Sequence, residues 1–363
     1  MNFASDNVYG APDEILHALV RANGGPAAPY GDDAYSARLK SRFADVFEHD
    51  VEVFPVATGT AANALSISLL APPYRSVLAH RVAHVHTNEC GASEFYTGGA
   101  RVVGLPGPAG KLEASALEAT LDRMLDGDEH HMQPAAVSLT QATEFGTVYD
   151  PGEIARLAEV AHARGLAVHM DGARFANALV ALGCTPADMT WRAGIDVLSF
   201  GATKNGTIGA EAVVLFDRDK AEELRFRRKR AGHTASKTRF MAAQLEAYLE
   251  DDLWLRCARH ANTLAARLAE GLCRIDGVRL AVPAATNQIF PVLPIAVHER
   301  LRAASAHYHV WRSDVDPDLG IDPGREVLVR LIASFEATEE QVDAFVAAAA
   351  GEGRASPRTA RTG

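Results

Sequence analysis

The stretch IDVLSFGATKNG, residues 195–206, decides how this chain folds. Its first six residues form an apolar run typical of a buried β-strand. The next six are small or polar residues around a single lysine, Lys204. A glycine-flanked turn directly after a strand presents one amine inside a crowded pocket. Because lysine is rarely enclosed without a partner, this position is predicted to have a chemical role.

A second apolar run of the same kind ends on an acid. Residues 166–174, LAVHMDGAR, place Asp171 at the end of a predicted strand upstream of Lys204. An acid and an amine at two strand ends suit a cofactor with a ring nitrogen and an aldehyde. That cofactor is pyridoxal phosphate (PLP), which binds lysine as a Schiff base and pairs its ring nitrogen with an acid. A helix N-cap is the other common use of such an aspartate, and both uses stay open at this point.

On both sides of these two runs, short apolar strands alternate with amphipathic helices, which predicts an α/β fold with a mainly parallel sheet. Helices are predicted from Asp33, from Gly59 to Leu70 and over 151–164, after a loop-rich N-terminal arm of about thirty residues. The predicted strands of this part are 51–56, 77–79, 102–105, 135–140, 166–171, 195–200 and 210–216.

The remainder predicts a smaller C-terminal α+β domain. A continuous helical stretch is expected over 236–273, strands over 278–280, 289–292 and 327–331, and a capping box at Thr338. The predicted division is a PLP-binding large domain, 1–245 including the N-terminal arm, a small domain, 246–350, and a disordered tail, 351–363.

Composition narrows the class of protein. With 363 residues and 48% hydrophobic residues, the chain can bury a large core. No apolar run reaches the length of a membrane span, and the N-terminus lacks the pattern of a signal peptide. Four scattered cysteines fit a reduced, cytoplasmic protein without a disulfide or zinc framework. A net charge of −10 argues against nucleic acid as a partner.

Two further groups of residues fit a cofactor and an amino-acid substrate. Gly59, Thr60 and Ala61 open a helix after a strand, where N–H groups favour a phosphate, although an ordinary capped helix has the same pattern. Arg174 and Arg330 can hold a carboxylate. The ordinary alternatives are a local salt bridge for Arg174 and a solvent-exposed strand face for Arg330.

The motif His84-Val85-His86 follows a predicted strand. No further His or Cys cluster completes a metal site, so no metal is predicted. A flat imidazole near the sheet edge can instead stack on the PLP ring, and a solvent-exposed loop is the alternative.

Nearly the whole chain, from Phe3 to about Ala350, resembles the low-specificity L-threonine aldolases. These enzymes have the aspartate-aminotransferase fold (fold type I) of PLP enzymes. The motifs that carry the resemblance are 3–7, 30–33, 59–63, 83–84, 89–92, 169–174 and 203–206.

The resemblance implies a role for each matching residue. Lys204 would bind PLP covalently, Asp171 would pair with its ring nitrogen, and His84 would stack on its ring, which makes these three the expected catalytic residues. The other expected cofactor ligands are Gly59, Thr60, Ala61, Arg174 and Lys229, and the expected substrate ligands are Ser5, Tyr30, Arg174 and Arg330. His86 departs from the family, which has no histidine at this position; it is a further candidate substrate ligand, with a solvent-facing position as the alternative.

The resemblance also implies a homodimer or homotetramer with shared active sites. Tyr30 and Lys229 would approach the site of a neighbouring subunit. The expected reaction cleaves L-threonine, L-allo-threonine and related β-hydroxy-α-amino acids to glycine and an aldehyde. Some members carry a histidine, thought to contact the substrate's β-hydroxyl, where this chain has Glu144. The general base therefore stays open between His84 and an activated water.

Competing functions remain on the same fold. They are a phenylserine-selective aldolase, a PLP-dependent β-eliminating lyase and a non-catalytic PLP-fold binding protein, although a binding protein has no need of the lysine. The basic run FRRKR, residues 226–230, permits a nucleic-acid role. The acidic remainder of the chain makes a contact between subunits the better interpretation.

Overall fold

The structure is a computed structural model that describes residues 1–125, 127–311 and 319–352. Residues 353–363 of the predicted disordered tail, 351–363, lie outside this range. Among the described residues, no helix combines the length and the apolar character needed to cross a membrane.

A seven-stranded sheet forms the centre of the larger part. Its strand order is β1-β7-β6-β5-β4-β2-β3, and only β7 runs against its neighbours. The mainly parallel sheet predicted from the alternating pattern is confirmed. The strands are β1 Glu52–Val56, β2 Ser76–His80, β3 Arg101–Leu105, β4 Pro134–Thr140, β5 Ala167–Gly172, β6 Val197–Phe200 and β7 Glu211–Leu215.

A second, antiparallel sheet belongs to the C-terminal part, as expected. Its path is β11-β12-β10-β8, and β9 pairs with β12. The strands are β8 Arg279–Leu280, β9 Gln288–Ile289, β10 Pro291–Pro294, β11 His309–Val310 and β12 Glu326–Ile332.

Helices surround both sheets. Those of the larger part are α1 Asp13–Ala22, α2 Ala34–Phe47, α3 Gly59–Leu70, α4 His84–Thr87, α5 Ala92–Thr97, α6 Ala114–Met124, α7 Pro151–His162, α8 Phe175–Leu182, α9 Pro186–Met189, α10 Ala221–Arg230 and α11 Arg239–Leu249. They are followed by α12 Leu253–Cys273, α13 Ile295–Ala303 and α14 Glu339–Ala350. The capping box predicted at Thr338 is present, with Gln341 as its partner.

Three local predictions were wrong. The N-terminal arm contains α1, whose buried Ile15, Ala18 and Ala22 follow helical spacing. The helical stretch over 236–273 is interrupted, because Asp251 and Asp252 adopt left-handed backbone angles between α11 and α12. The segment with His84 is a single helical turn, α4, and not a loop.

The two largest of the buried apolar clusters accompany the two sheets. The large core extends as far as Ala258 in α12, and a second core begins at Leu264 in the same helix. The boundary predicted between residues 245 and 246 lies within α11, and the division into two domains stays a prediction.

Candidate active site

The carboxyl ends of the parallel strands meet at one edge of the large sheet, which is where ligands bind in open α/β folds. Asp171 lies in β5, and Lys204 follows β6. Glu144 follows β4, and His84 follows β2. The α/β connectivity therefore brings together side chains that are far apart in sequence.

A cavity of about 660 Å³ opens at this edge. Seven of the predicted site residues line it, namely Gly59, Thr60, His84, Asp171, Arg174, Lys204 and Arg330. Five others do not, namely Ser5, Tyr30, Ala61, His86 and Lys229. The cavity is thus built from both sheets, since Arg330 belongs to β12.

Lys204 is held by a 3₁₀ turn, Thr203–Asn205, that is anchored on both sides. The buried Glu211 in β7 accepts a hydrogen bond from the Ala202 N–H at 2.7 Å, and burial raises the pKa of Glu211. The Asn205 amide donates to the hydroxyl of Tyr248 at 2.6 Å. The lysine therefore projects from a turn whose backbone and neighbours are fixed.

Gly201 allows this turn to approach the end of β5. A Cβ at this position would lie 2.5 Å from the Gly172 carbonyl oxygen and 2.7 Å from the Cα of Ala173. Such distances are closer than atomic contact allows. The glycine is thus required for Lys204 and Asp171 to share one cavity.

Asp171 is buried and its carboxylate is oriented by two donors. Oδ2 accepts a hydrogen bond from Asn63 at 2.9 Å, and Oδ1 accepts one from the Ala173 N–H at 3.0 Å. The N-cap position of α8 is Arg174, so the carboxylate is not a helix cap. Beneath it, His169 contacts Ser138 and Ser199, and burial lowers its pKa to about 4.

His84 is held by two acids, one at its ring and one at its backbone N–H. Its Nδ1 lies 2.9 Å from Glu89 Oε1, and its backbone N–H donates to Glu144 Oε1 at 2.7 Å. The hydrogen bond with Glu89 is the largest of the effects that raise the pKa of His84, with the Asp171 charge as a further contribution. The imidazole therefore stays cationic to a higher pH than a free histidine.

The two arginines form a positively charged end of the cavity. Arg174 donates two hydrogen bonds to the buried Asp6, at 2.8 and 3.1 Å. Burial raises the pKa of Asp6, but the charges of Arg174 and Lys204 outweigh this and hold it below its usual value. Arg330 stacks on Trp311, and its buried Nε has no hydrogen-bond partner among the described residues. Burial and the Arg174 charge lower the pKa of Arg330 to about 10. A bound anion would offset the unfavourable burial of this positive charge.

The N-terminus of α3 lies at the other end of the cavity. Thr58 caps the helix by accepting the Ala61 N–H, so that N–H group is already in use. The preceding N–H groups have no partner within the helix, and the space where a Cβ of Gly59 would stand is open. A phosphate can be held here, by the first two residues of the helix.

The predicted residues outside the cavity lie in several places. Ser5 caps the short turn that carries Asp6 and Asn7. His86 is exposed and packs beside Gly104 in β3. Lys229 stacks on Tyr30, with its Nζ 4.9 Å from the ring centre.

Sequence reasoning did not assign a role to several polar residues of the site. Asp6, Asn63 and Glu89 hold the predicted residues Arg174, Asp171 and His84, respectively. Glu211 holds the Ala202 N–H beside the turn that carries Lys204. Asn63 and Glu89 lay within motifs of the resemblance, whereas Glu211 had only one signal, a carboxylate in an otherwise apolar strand.

The donor set of the cavity fits PLP. An open helix N-terminus suits its phosphate, Asp171 suits its ring nitrogen, and the Lys204 amine suits its aldehyde. Arg330, whose Nε has no hydrogen-bond partner among the residues that the structure describes, remains for the carboxylate of an amino acid.

Comparison with known proteins agrees with this geometry. A family model described as beta-eliminating lyase matches residues 2–294. A low specificity L-threonine aldolase of Pseudomonas aeruginosa is 45% identical over 85% of this chain and 89% of its own length. The solved structure of a Leishmania major threonine aldolase is 29% identical, with a TM-score of 0.88 over 96% of this chain and 98% of that one. A serine palmitoyltransferase of Sphingomonas wittichii, 16% identical with a TM-score of 0.68, shares the fold.

The fold and the site identify the class of protein as the PLP-dependent enzymes of fold type I. The resemblance to low-specificity L-threonine aldolases is confirmed by relatives that cover most of the chain. The chain belongs to the beta-eliminating lyase family.

Proposed function

We propose that this protein is a PLP-dependent aldehyde-lyase that cleaves L-threonine, L-allo-threonine and related β-hydroxy-α-amino acids to glycine and an aldehyde. One observation carries the proposal: Lys204, Asp171, Arg174 and Arg330 line a single cavity. An amine and an acid for the cofactor thus face two cations for an amino-acid carboxylate. The 45% identical relative is named for this reaction.

The chain's own residues bind and orient the reactants. Arg174 and Arg330 hold the substrate carboxylate, because a guanidinium matches two carboxylate oxygens. Asp171 would pair with the ring nitrogen of bound PLP and keep it protonated, and Asn63 orients that carboxylate. When bound, PLP supplies an electron-accepting ring that stabilises negative charge at the substrate Cα. Fixed orientation of this kind is worth about 7 kcal/mol or more in favourable cases.

A substrate panel tests the proposal. Purified protein loaded with PLP is incubated with L-threonine, L-allo-threonine, L-phenylserine and D-threonine, and glycine and aldehyde are quantified. We expect equal amounts of glycine and aldehyde from the L-isomers. Release from phenylserine alone would favour the phenylserine-selective alternative, and turnover of the D-isomer alone would contradict the stereochemistry.

The family model's description favours β-elimination as a second candidate. That reaction yields ammonia and a 2-oxo acid from a substrate with a leaving group on Cβ. From the panel above it would give 2-oxobutyrate from threonine and phenylpyruvate from phenylserine, whereas only aldol cleavage produces glycine. Formation of ammonia and a 2-oxo acid without glycine would replace the proposed function with this one.

We further propose that the enzyme acts in the cytoplasm as a homodimer or homotetramer with shared active sites. The exposed pair of Tyr30 and Lys229 supports this, because neither residue reaches the cavity of its own chain. An aromatic ring and a cation on the surface suit contact with a neighbouring subunit.

A further inference from the structure

Glu144 is the acid of the cavity to which the function above gives no task. It lies in the loop after β4 and lines the same cavity as Lys204 and Asp171. Its Oε1 accepts the His84 N–H at 2.7 Å. Its Oε2 is buried and has no hydrogen-bond partner within the described part of the chain. A buried carboxylate oxygen without a donor is costly, and a ligand that brings a hydroxyl would supply one.

The other titratable groups of the cavity are already committed. Asp171 accepts two hydrogen bonds and is the acid assigned to the ring nitrogen of the cofactor. Glu89 also has one unpaired oxygen, but its other oxygen pairs with His84, and taking up a proton would weaken that pair. His84 itself is held towards its cationic form by Glu89, and a protonated imidazole cannot accept a proton.

We propose that Glu144 is the catalytic acid–base group that takes the β-hydroxyl proton of the substrate during Cα–Cβ cleavage. This inference rests on the proposed function. The hydroxyl proton moves to Oε2 as the Cα–Cβ bond breaks, and the Cβ–O bond becomes the carbonyl of the aldehyde. The electron pair of the broken bond stays with Cα, which then takes a proton to give glycine. Glu144 returns its own proton to solvent or, in the synthetic direction, to the aldehyde oxygen.

The protonation behaviour of Glu144 suits this task. Burial, together with the Asp171 charge, raises its pKa to about 7, while the His84 N–H, its own N–H and the Thr140 side chain oppose the shift. A group with a pKa near the working pH both accepts and releases a proton readily. The other charged groups that share the cavity with it include His84, Glu89, Asp171, Arg174, Lys204 and Arg330.

The test compares the PLP-loaded wild type with Glu144→Gln and with Glu113→Gln, an exposed control. The amide retains an acceptor for the His84 N–H and removes the acid. We expect Glu144→Gln to lower the kcat for threonine cleavage about 100- to 10,000-fold. Exchange of the glycine α-protons with D₂O, followed by NMR, needs no β-hydroxyl and is expected to persist. Glu113→Gln is expected to match the wild type in both assays.

Two readouts do not depend on turnover. The infrared band of a protonated carboxylic acid should titrate near pH 7 in the wild type and be missing in Glu144→Gln. The dissociation constant of glycine, measured from the cofactor absorbance, should be unchanged by the substitution. If Glu144→Gln folds poorly, the infrared titration of the wild type and the cleavage rate of Glu144→Asp, expected to be intermediate, replace it.

Each outcome decides the proposal. Wild-type-like cleavage by Glu144→Gln would overturn it and leave the aldolase function intact. Loss of cleavage and of glycine exchange together would also overturn it, because Glu144 would then serve the whole site. A wild type that releases no aldehyde from any member of the panel would overturn the aldolase function itself, and this inference with it.

Discussion

At the scale of single residues, the site depends on buried charges held by specific partners. Arg174 is neutralised by Asp6, whereas the Nε of Arg330, in the same cavity, has no hydrogen-bond partner in the described part of the chain. The burial of an unpaired cation is unfavourable, and a substrate carboxylate supplies the missing charge. Arg174, already paired with Asp6, therefore mainly orients the substrate carboxylate. The pairing of that carboxylate with Arg330 contributes more to the free energy of binding.

Replacing Arg330 by alanine should weaken substrate binding. The lost charge-assisted hydrogen bonds are worth about 1.5–3 kcal/mol, which corresponds to about a ten- to hundredfold rise in the KM for L-threonine. Steady-state kinetics measures this, with Arg325→Ala as the control because the Arg325 side chain is 87% exposed. An unchanged KM in Arg330→Ala would assign that arginine a structural role.

The buried His169 should make stability depend on pH. Its folded pKa is about 4, below the value of about 6.5 for a free histidine, so the unfolded chain binds more protons between these values. Stability from His169 is therefore complete above about pH 6.5 and is lost as the pH falls towards 4. Glu144, whose pKa is raised on folding, contributes stability that increases as the pH falls over part of this range.

A comparison with His169→Asn isolates this effect, since Glu144 is present in both proteins. Urea denaturation at pH 7 and pH 4.5 gives the free energies of unfolding. The advantage of the wild type over the variant should shrink by about 2–3 kcal/mol at the lower pH. An advantage of constant size at both pH values would show that His169 is not held neutral.

At the scale of elements, the ends of β5 and β6 position Asp171 and Lys204, and Gly201 allows these two strand ends to lie close together. In Gly201→Ala the new methyl group would meet the Gly172 carbonyl and the Ala173 Cα, so the lysine turn must shift. We expect a loss of about 1–3 kcal/mol of stability and a large loss of activity. Gly10→Ala is the control, because nothing lies within 4 Å of a Cβ there. Thermal denaturation and kcat/KM measure both effects, and equal behaviour of the two variants would refute the crowding argument.

Local sequence patterns predicted most of these elements because apolar strands and helical spacing are short-range signals. The strand ends at Asp171 and near Lys204 were predicted within one or two residues. The break at Asp251 and Asp252 was not, since left-handed aspartates leave no pattern in hydrophobic spacing. The contact of Asp6 with Arg174 joins residues far apart in the chain, and only the folded arrangement reveals it.

At the scale of the whole molecule, the proposed sharing of active sites can be tested by complementation. Lys204→Ala and Lys229→Ala subunits, each impaired alone, are mixed and reassembled with different affinity tags. If Lys229 serves a neighbouring site, purified hybrids combine an intact Lys204 with an intact Lys229 and regain activity. Hybrids that remain as inactive as their parents would place the role of Lys229 within its own subunit, or nowhere.

The proposed function depends on Lys204 as the residue that holds PLP in a cavity suited to an amino acid. Borohydride reduction fixes the bond between PLP and its lysine, and peptide mass spectrometry then locates the attached group. We expect a phosphopyridoxyl group on the peptide that contains Lys204. A label on Lys111 or Lys229 instead, or no label on a PLP-saturated protein, would contradict it.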